Sequence, residues 1–306
     1  ESTATTSRRF HAALMAWFWA WFGHSEAERA SAHWKAGLLT GLWGGLLMLA
    51  RPEGVLALGL AGLYGLLRQG TIRMKLIRAF STGVGFALPA AAFVGLNLAV
   101  SGVVFPNTFY AKQTEYAVLW GLPYSVRLWQ QASAVFVGPQ VLLLPGLAVF
   151  VWQALRRRTG WPILLPLAWA LLHWALYAAR LPVVYQHARY AIPTIPVIVA
   201  CGVVGAAGLA NLRSEHRAVR LASRTWVISL VVLFPAWLLM LGAPAFGRDV
   251  SFIEDDMVAV ARWVTENTQA GTVIAAHDIG ALGYFAPRPL VDLAGLVSPE
   301  VIPFMA

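Results

Sequence analysis

A short polar stretch between two long apolar segments carries most of the groups that could bind a charged ligand. The stretch, SGVVFPNTFYAKQTEY, occupies positions 101–116. A lysine can neutralise a phosphate, whereas amide and phenol groups can hydrogen-bond hydroxyl groups. We therefore interpret it as a candidate binding loop with Asn107, Tyr110, Lys112 and Gln113 as its binding side chains. The alternative is an interfacial loop whose Tyr and Lys side chains reach out to lipid headgroups.

A second cluster is the sequence RPEG at 51–54, which separates two apolar segments. Proline at the first helical position and an acid in the first turn are ordinary features of a helix start. The functional interpretation is that Arg51 is held at a membrane surface for an anionic headgroup or a phosphate, with Glu53 beside it. Both interpretations stay open from the residues alone.

The third cluster is YQHARY at 185–190, which follows Arg180. Arginines at helix ends can simply anchor the helices. Alternatively, His187 and Arg189 together bind a phosphate or diphosphate, with Arg180 nearby. No second histidine or carboxylate stands at ligand spacing and HExxH is absent, so the sequence supports no divalent metal and no other cofactor.

A fourth candidate, Asp278, begins the sequence DIGALG after a predicted strand. The glycine spacing differs from GxGxxG and no helix is expected to follow, which argues against dinucleotide binding. We interpret Asp278 as the cap of a turn and keep it as a candidate ligand contact. The acids at 254–256 precede a predicted helix, where negative charge favours the helix dipole.

The composition identifies the class of protein. The chain has 306 residues, of which 58% are hydrophobic and 12% are charged, whereas soluble domains carry about a quarter charged residues. The net charge of +9 comes from short basic clusters between apolar runs, which is the pattern of cytoplasmic loops rather than of a nucleic-acid-binding face. We therefore expect a polytopic membrane protein without a nucleic-acid partner.

The apolar runs predict about eight membrane segments and an orientation. The links 24–35, 68–78, 156–161 and 211–224 contain 13 Lys and Arg residues, whereas the links 51–53, 101–131 and 180–189 contain five. The first set should be cytoplasmic, so the polar clusters should face outward. The predicted segments are 10–22, 36–50, 54–67, 79–100, 132–155, 162–179, 190–210 and 225–244.

The last part of the chain changes character. We expect an amphipathic helix at 255–268 that Gly271 stops, a strand at 272–276, a glycine-rich turn at 279–285 and a second strand at 289–293. The predicted fold is thus mostly α, with a membrane domain at 1–247. An extracytoplasmic α/β domain at 248–306 completes it, and we expect this domain to be incomplete.

Three sequences together resemble a known class: RPEG, PNTFYAK and the C-terminal AAHDIGALGYFAPRPLVDLAGLVSPE. They are similar to bacterial multi-pass glycosyltransferases of the GT-C class, relatives of the polyprenyl-phosphate mannosyl- and arabinofuranosyltransferases. The resemblance covers the chain from about residue 37 to residue 303, and its C-terminal stretch is the most specific part. It implies an inverting inner-membrane enzyme that moves a sugar from a polyprenyl-phosphate donor to a lipid, glycan or protein acceptor at the outer face.

The resemblance also implies a catalytic aspartate in the first outer loop, upstream of anything in this chain. We therefore expect an N-terminal part to be missing. The alternative is a non-catalytic scaffold or accessory subunit of a larger membrane complex. The resemblance carries over only binding roles: toward phosphate Arg51, Lys112, His187 and Arg189, and toward sugar Asn107, Tyr110 and Gln113.

Overall fold

The computed structural model describes residues 30–67, 70–156, 161–211 and 216–305. The predicted segment at 10–22 and parts of the basic links, such as 157–158, lie outside the described residues. Helices dominate the described chain, which confirms the mostly α prediction. Within the described residues, five helical stretches are long and apolar enough to cross a membrane, as expected for a membrane protein: Ile72–Ser101, Pro139–Arg156, Trp161–Arg180, Ile192–Ala210 and Arg217–Asn267.

The chain forms two compact units. The first takes in the chain up to Val104 together with Val151–Leu176 and Tyr190–Ile198. The second contains Phe105–Phe150, Tyr177–Arg189 and the chain from Val199 onward.

The described part of the first unit contains three helices that precede or follow the RPEG sequence. Helix α1 (Ala30–Ala50) ends at a 3-10 turn (Pro52–Gly54), and α2 (Val55–Leu67) follows directly. The predicted interruption between the two apolar segments is therefore present. Helix α3 (Ile72–Ser101) begins at Thr71, whose hydroxyl accepts a hydrogen bond from the Met74 backbone N–H.

Helices α1 and α3 pack with their backbones in contact. Gly37, Gly41 and Gly45 recur every fourth residue, so they share one face of α1. A Cβ atom on Gly41 would overlap the Thr82 backbone oxygen, and a Cβ atom on Gly85 would overlap that of Leu38. Helices in a membrane associate without a hydrophobic effect between them. Small residues stabilise their association because they allow close van der Waals packing.

The middle of the chain corrects one predicted segment. The span predicted at 132–155 is wrong at its start, because α5 (Tyr124–Ala134) is a separate helix. The chain then becomes extended at Gly138, and a 3-10 turn (Pro139–Leu143) leads into α6 (Leu144–Arg156). Proline lacks the N–H that a continuous helix would need, so the new helix starts there.

The remaining apolar helices agree with the prediction to within a few residues. They are α7 (Leu165–Arg180) and α9 (Ile195–Ala210), and each follows a 3-10 turn that contains a proline. The short helix α8 (Tyr185–Ala188) lies between them in the chain and follows no such turn.

The segments predicted at 225–244 and 255–268 are not separate. Helix α10 (Arg217–Trp237), α11 (Ala243–Phe252) and α12 (Ala259–Asn267) form one continuous helical stretch through two π-helical turns. A π turn widens a helix without ending its hydrogen-bond ladder, which is why no loop follows the membrane segment.

The C-terminal strands are present, but the turn between them is a helix. Strands β1 (Ile274–Ala276) and β2 (Leu290–Asp292) pair in parallel, and α13 (Gly280–Phe285) connects them. The Asp278 carboxylate accepts a hydrogen bond from the Gly280 N–H at 3.2 Å. It satisfies one of the backbone donors at the start of the helix, so DIGALG folds as a helix and not as a glycine-rich turn.

Gly271 does not stop α12, which ends at Asn267. Instead, Arg288 satisfies the last carbonyl groups of this helix. Its guanidinium donates to the backbone oxygens of Thr265 at 2.8 Å and Thr268 at 2.9 Å. A side-chain cation at this end also interacts favourably with the helix dipole.

Substituting Gly85 tests the α1–α3 contact. We expect Gly85→Ala to cost about 1–3 kcal/mol of stability, because the added methyl group must push the two backbones apart. Gly83→Ala is the matched control, since no atom lies within 4 Å of a Cβ atom at that position. The measurement is the melting temperature of both variants in detergent, and equal melting temperatures would contradict the packing described.

Candidate functional site

The second unit contains a cluster of ionisable side chains around the Glu115 carboxylate. One of its oxygens accepts a hydrogen bond from Lys112 Nζ at 2.7 Å, and the other lies 3.4 Å from His277 Nε2. The Tyr116 hydroxyl lies 3.4 Å from the same Lys112 nitrogen. We call Lys112, Glu115, Tyr116 and His277 the Lys112 cluster. It combines a carboxylate, a fixed cation and a titratable imidazole in one place.

The exposure of these side chains gives the cluster an inner and an outer side. Only 13% of the Lys112 side chain and 14% of the Glu115 side chain are accessible, whereas 64% of His277 is exposed. A ligand would therefore meet the imidazole first and the ion pair behind it. Partial burial also strengthens the electrostatic interactions of the inner pair relative to those of a surface pair.

The stretch predicted as a binding loop is in fact a helix, α4 (Asn107–Glu115). Pro106 fixes the backbone just before the first turn, and the Phe105 and Phe109 rings stack at 4.7 Å across it. Residues three apart share a helix face, so Lys112 meets Glu115. The spacing of three residues between Lys112 and Glu115 is typical of one helix face, and this sequence signal favours a helix over a loop.

The other three candidates of this stretch also lie on α4. Asn107 is half-buried at the first helical position, and the Tyr110 ring makes an edge contact with Phe109. The amide nitrogen of Gln113 is buried and has no hydrogen-bond partner among the described residues. An amide donor in this state is available to a ligand hydroxyl group.

A buried aspartate organises the loop that packs beside α4. The Asp292 carboxylate is inaccessible and accepts three backbone N–H groups: Ala294 at 2.9 Å, Leu296 at 2.6 Å and Val297 at 2.9 Å. Gly295 lies at the tip with φ +68, and a Cβ atom there would come within 3.6 Å of Ala111 on α4. The loop with the sequence DLAGLVS thus supports the helix that carries Lys112.

The exposed side chain of His187 contacts Asp249 in the second unit. Its Nε2 atom lies 2.8 Å from an Asp249 carboxylate oxygen, and 74% of the His187 side chain is accessible. The backbone of His187 and Ala188 has positive φ values of 57 and 49. The neighbouring Tyr185 ring lies 5.3 Å from the Tyr116 ring, which belongs to the Lys112 cluster.

The remaining candidates divide between the two units. Arg180 and Arg189 are exposed in the second unit, where the Asp278 carboxylate accepts a hydrogen bond from the Gly280 N–H at the start of α13 and not within the predicted turn. Arg51 and Glu53 lie in the first unit, where Glu53 is buried and accepts a hydrogen bond from Arg51 at 3.1 Å.

Sequence reasoning missed Glu115, Tyr116, His277 and Asp249. His277 follows β1 directly, and the carboxyl ends of parallel strands are common ligand-binding positions. Asp249 has no local signal, because its partner His187 is 62 positions away. Among the described residues, no group of three or more His, Cys, Asp or Glu side chains could hold a metal ion.

Comparison with known proteins gives one family, a domain of unknown function (DUF8728), which matches residues 249–306. The matched region contains β1, α13, β2 and the Asp292 loop, and it also includes His277. No curated protein and no solved structure matches the chain.

Removing the Asp292 carboxylate should loosen the support of α4. We expect Asp292→Ala to cost about 3 kcal/mol or more, because three buried N–H groups lose a charged acceptor. Amide hydrogen exchange should then accelerate at residues 294–297. Asp278→Ala serves as control, since its exposed carboxylate accepts one backbone hydrogen bond and its loss should cost about 1 kcal/mol. Unchanged exchange in the Asp292 variant would contradict this role.

Proposed function

We propose that this protein is a membrane glycosyltransferase that moves a sugar from a polyprenyl-phosphate donor to a hydroxyl group of a lipid, glycan or protein acceptor. The observation that carries the proposal is the Glu115 carboxylate, held between Lys112 and His277. It supplies the acidic group for which the sequence offered no candidate. The proposal includes about eight membrane segments, a bacterial inner-membrane location and an extracytoplasmic C-terminal domain.

The reaction needs a base and a stabilised leaving group. The acceptor oxygen forms a bond to the anomeric carbon while the bond from that carbon to the phosphate oxygen breaks. Glu115 takes the hydroxyl proton, and the polyprenyl phosphate leaves with the electron pair. Lys112 and an N–H group of His277 would stabilise the negative charge that develops on the phosphate. A single displacement of this kind inverts the anomeric configuration.

The polar groups of α4 support recognition of the sugar. Gln113 has a buried amide nitrogen without a partner among the described residues, and Asn107 and Tyr110 are half-buried on the same helix. Buried polar groups that are positioned to hydrogen-bond a ligand hydroxyl group discriminate strongly against ligands without that hydroxyl group. The helices that are long and apolar enough to cross a membrane are compatible with a polyprenyl tail in the hydrocarbon.

Glu115→Gln tests the base. In membranes that contain the full-length protein, we expect release of polyprenyl monophosphate from its donor to fall by about 10²–10⁴-fold, the usual contribution of a general base. The donors to supply are polyprenyl-phosphate-linked mannose, arabinofuranose and glucose. Binding of polyprenyl monophosphate should persist in this variant but weaken in Lys112→Ala, because Lys112 supplies the charge that faces phosphate.

Glu266→Gln is the matched control, since Glu266 is exposed on α12 and has no role in the reaction. Equal rates for the two glutamate variants would exclude Glu115 as base. If the wild-type protein consumes none of the three donors and co-purifies at fixed stoichiometry with a membrane complex, the scaffold alternative replaces the enzyme.

A further inference from the structure

The turn between α1 and α2 buries an acidic side chain at the end of two apolar helices. The Gly54 N–H donates to the Arg51 carbonyl at 2.9 Å, which closes the turn. A Cβ atom on Gly54 would overlap the backbone between Leu47 and Met48, so only glycine allows the turn to lie against α1. As a result only 7% of Glu53 is accessible.

The Glu53 carboxylate is half satisfied. One oxygen accepts a hydrogen bond from an Arg51 guanidinium nitrogen at 3.1 Å. The other oxygen, Oε2, is buried and has no hydrogen-bond partner among the described residues. A buried carboxylate oxygen without a donor is costly, and native proteins rarely keep one unless a ligand or an ordered water binds to it.

His173, the buried imidazole close to this turn, cannot supply the missing donor through Nε2. Arg51 and Glu53 both act on it electrostatically, so all three belong to one polar region of the first unit. Its Nε2 atom lies 2.7 Å from the Tyr190 backbone oxygen, which holds the proton on that nitrogen. The Nε2–H group is therefore already used.

The side chains around the turn have the properties expected of a binding site for a lipid headgroup. Leu49 on one side and Val55 on the other are 41% and 44% exposed, so apolar surface borders the turn on both sides. The Arg51 side chain is 20% accessible, and a guanidinium can bind a carboxylate and a phosphate through different N–H groups. A cation, a hydrogen-bond acceptor and apolar flanks thus occur together.

We propose that Arg51 and Glu53 bind the headgroup of a phosphodiester lipid that carries a hydroxyl group beside its phosphate. Arg51 contacts the phosphate, and Glu53 Oε2 accepts the hydrogen bond from the hydroxyl. Two lipids share this chemistry: phosphatidylglycerol and a polyprenyl-phosphate sugar. The second source rests on the function proposed above, whereas the first does not.

Native mass spectrometry of the purified full-length protein with defined lipids tests the site. Phosphatidylglycerol and phosphatidylmethanol carry the same charge, but only the first has a hydroxyl group on its headgroup. We expect the wild-type protein to retain phosphatidylglycerol or polyprenyl-phosphomannose at least about tenfold better than phosphatidylmethanol, as for one hydrogen bond to a charged acceptor. Whichever of the two is retained identifies the source.

Substitutions separate the two contacts. Glu53→Met should abolish the preference over phosphatidylmethanol, whereas Arg51→Met should weaken retention of all three lipids. Glu266→Met, at an exposed position on α12, should change neither. If Glu53→Met does not fold, Glu53→Asp keeps the charge but shortens the side chain, and it should lower the preference severalfold.

Two outcomes of these lipid-retention measurements would overturn the proposal. Equal retention of all three lipids by the wild-type protein, or a preference that persists in both Glu53 variants, would exclude hydroxyl recognition by Glu53. Failure of this test leaves glycosyl transfer by Glu115 intact, because phosphatidylglycerol takes no part in that reaction. Conversely, loss of donor consumption in Glu115→Gln with normal lipid retention would separate the two sites.

Discussion

The constraint on which this structure depends is that hydrocarbon offers no hydrogen-bond partners. Each backbone N–H and C=O within the membrane must be satisfied by the chain itself, which leaves helices as the means of crossing. Helices then have to associate without a hydrophobic effect between them, and α1 and α3 do so through glycines such as Gly41 and Gly85. Polar side chains collect where helices begin and end, and the candidate ligand-binding groups of both units lie at such places.

Three buried or half-buried carboxylates show how differently one chemical group can be used. Asp292 accepts three backbone N–H groups and is a structural anchor. Glu115 accepts from Lys112 on its inner side and faces the exposed His277 on the other, so the cluster is open to solvent on the side of His277. Glu53 accepts from Arg51 with one oxygen and has no partner for the other among the described residues.

The C-terminal region contributes to the candidate site in the second unit. It supplies His277 to the Lys112 cluster, and the Asp292 loop packs beside Ala111 on α4. The family match at 249–306 coincides with this small β-α-β arrangement. The matched region thus carries both a side chain of the Lys112 cluster and the loop that supports α4.

Composition and apolar runs by themselves determined that the protein is mostly helical and suited to a membrane, because solvent preference depends on local sequence alone. They also located the polar stretches that contain Arg51 and Lys112. They did not reveal that α10, α11 and α12 are continuous, because a π turn leaves no mark in hydropathy. Only the tertiary structure decided that Glu115 and His277 share a site and that Glu53 is buried. Those relations depend on contacts between distant residues, and on a turn that only Gly54 allows to fold back.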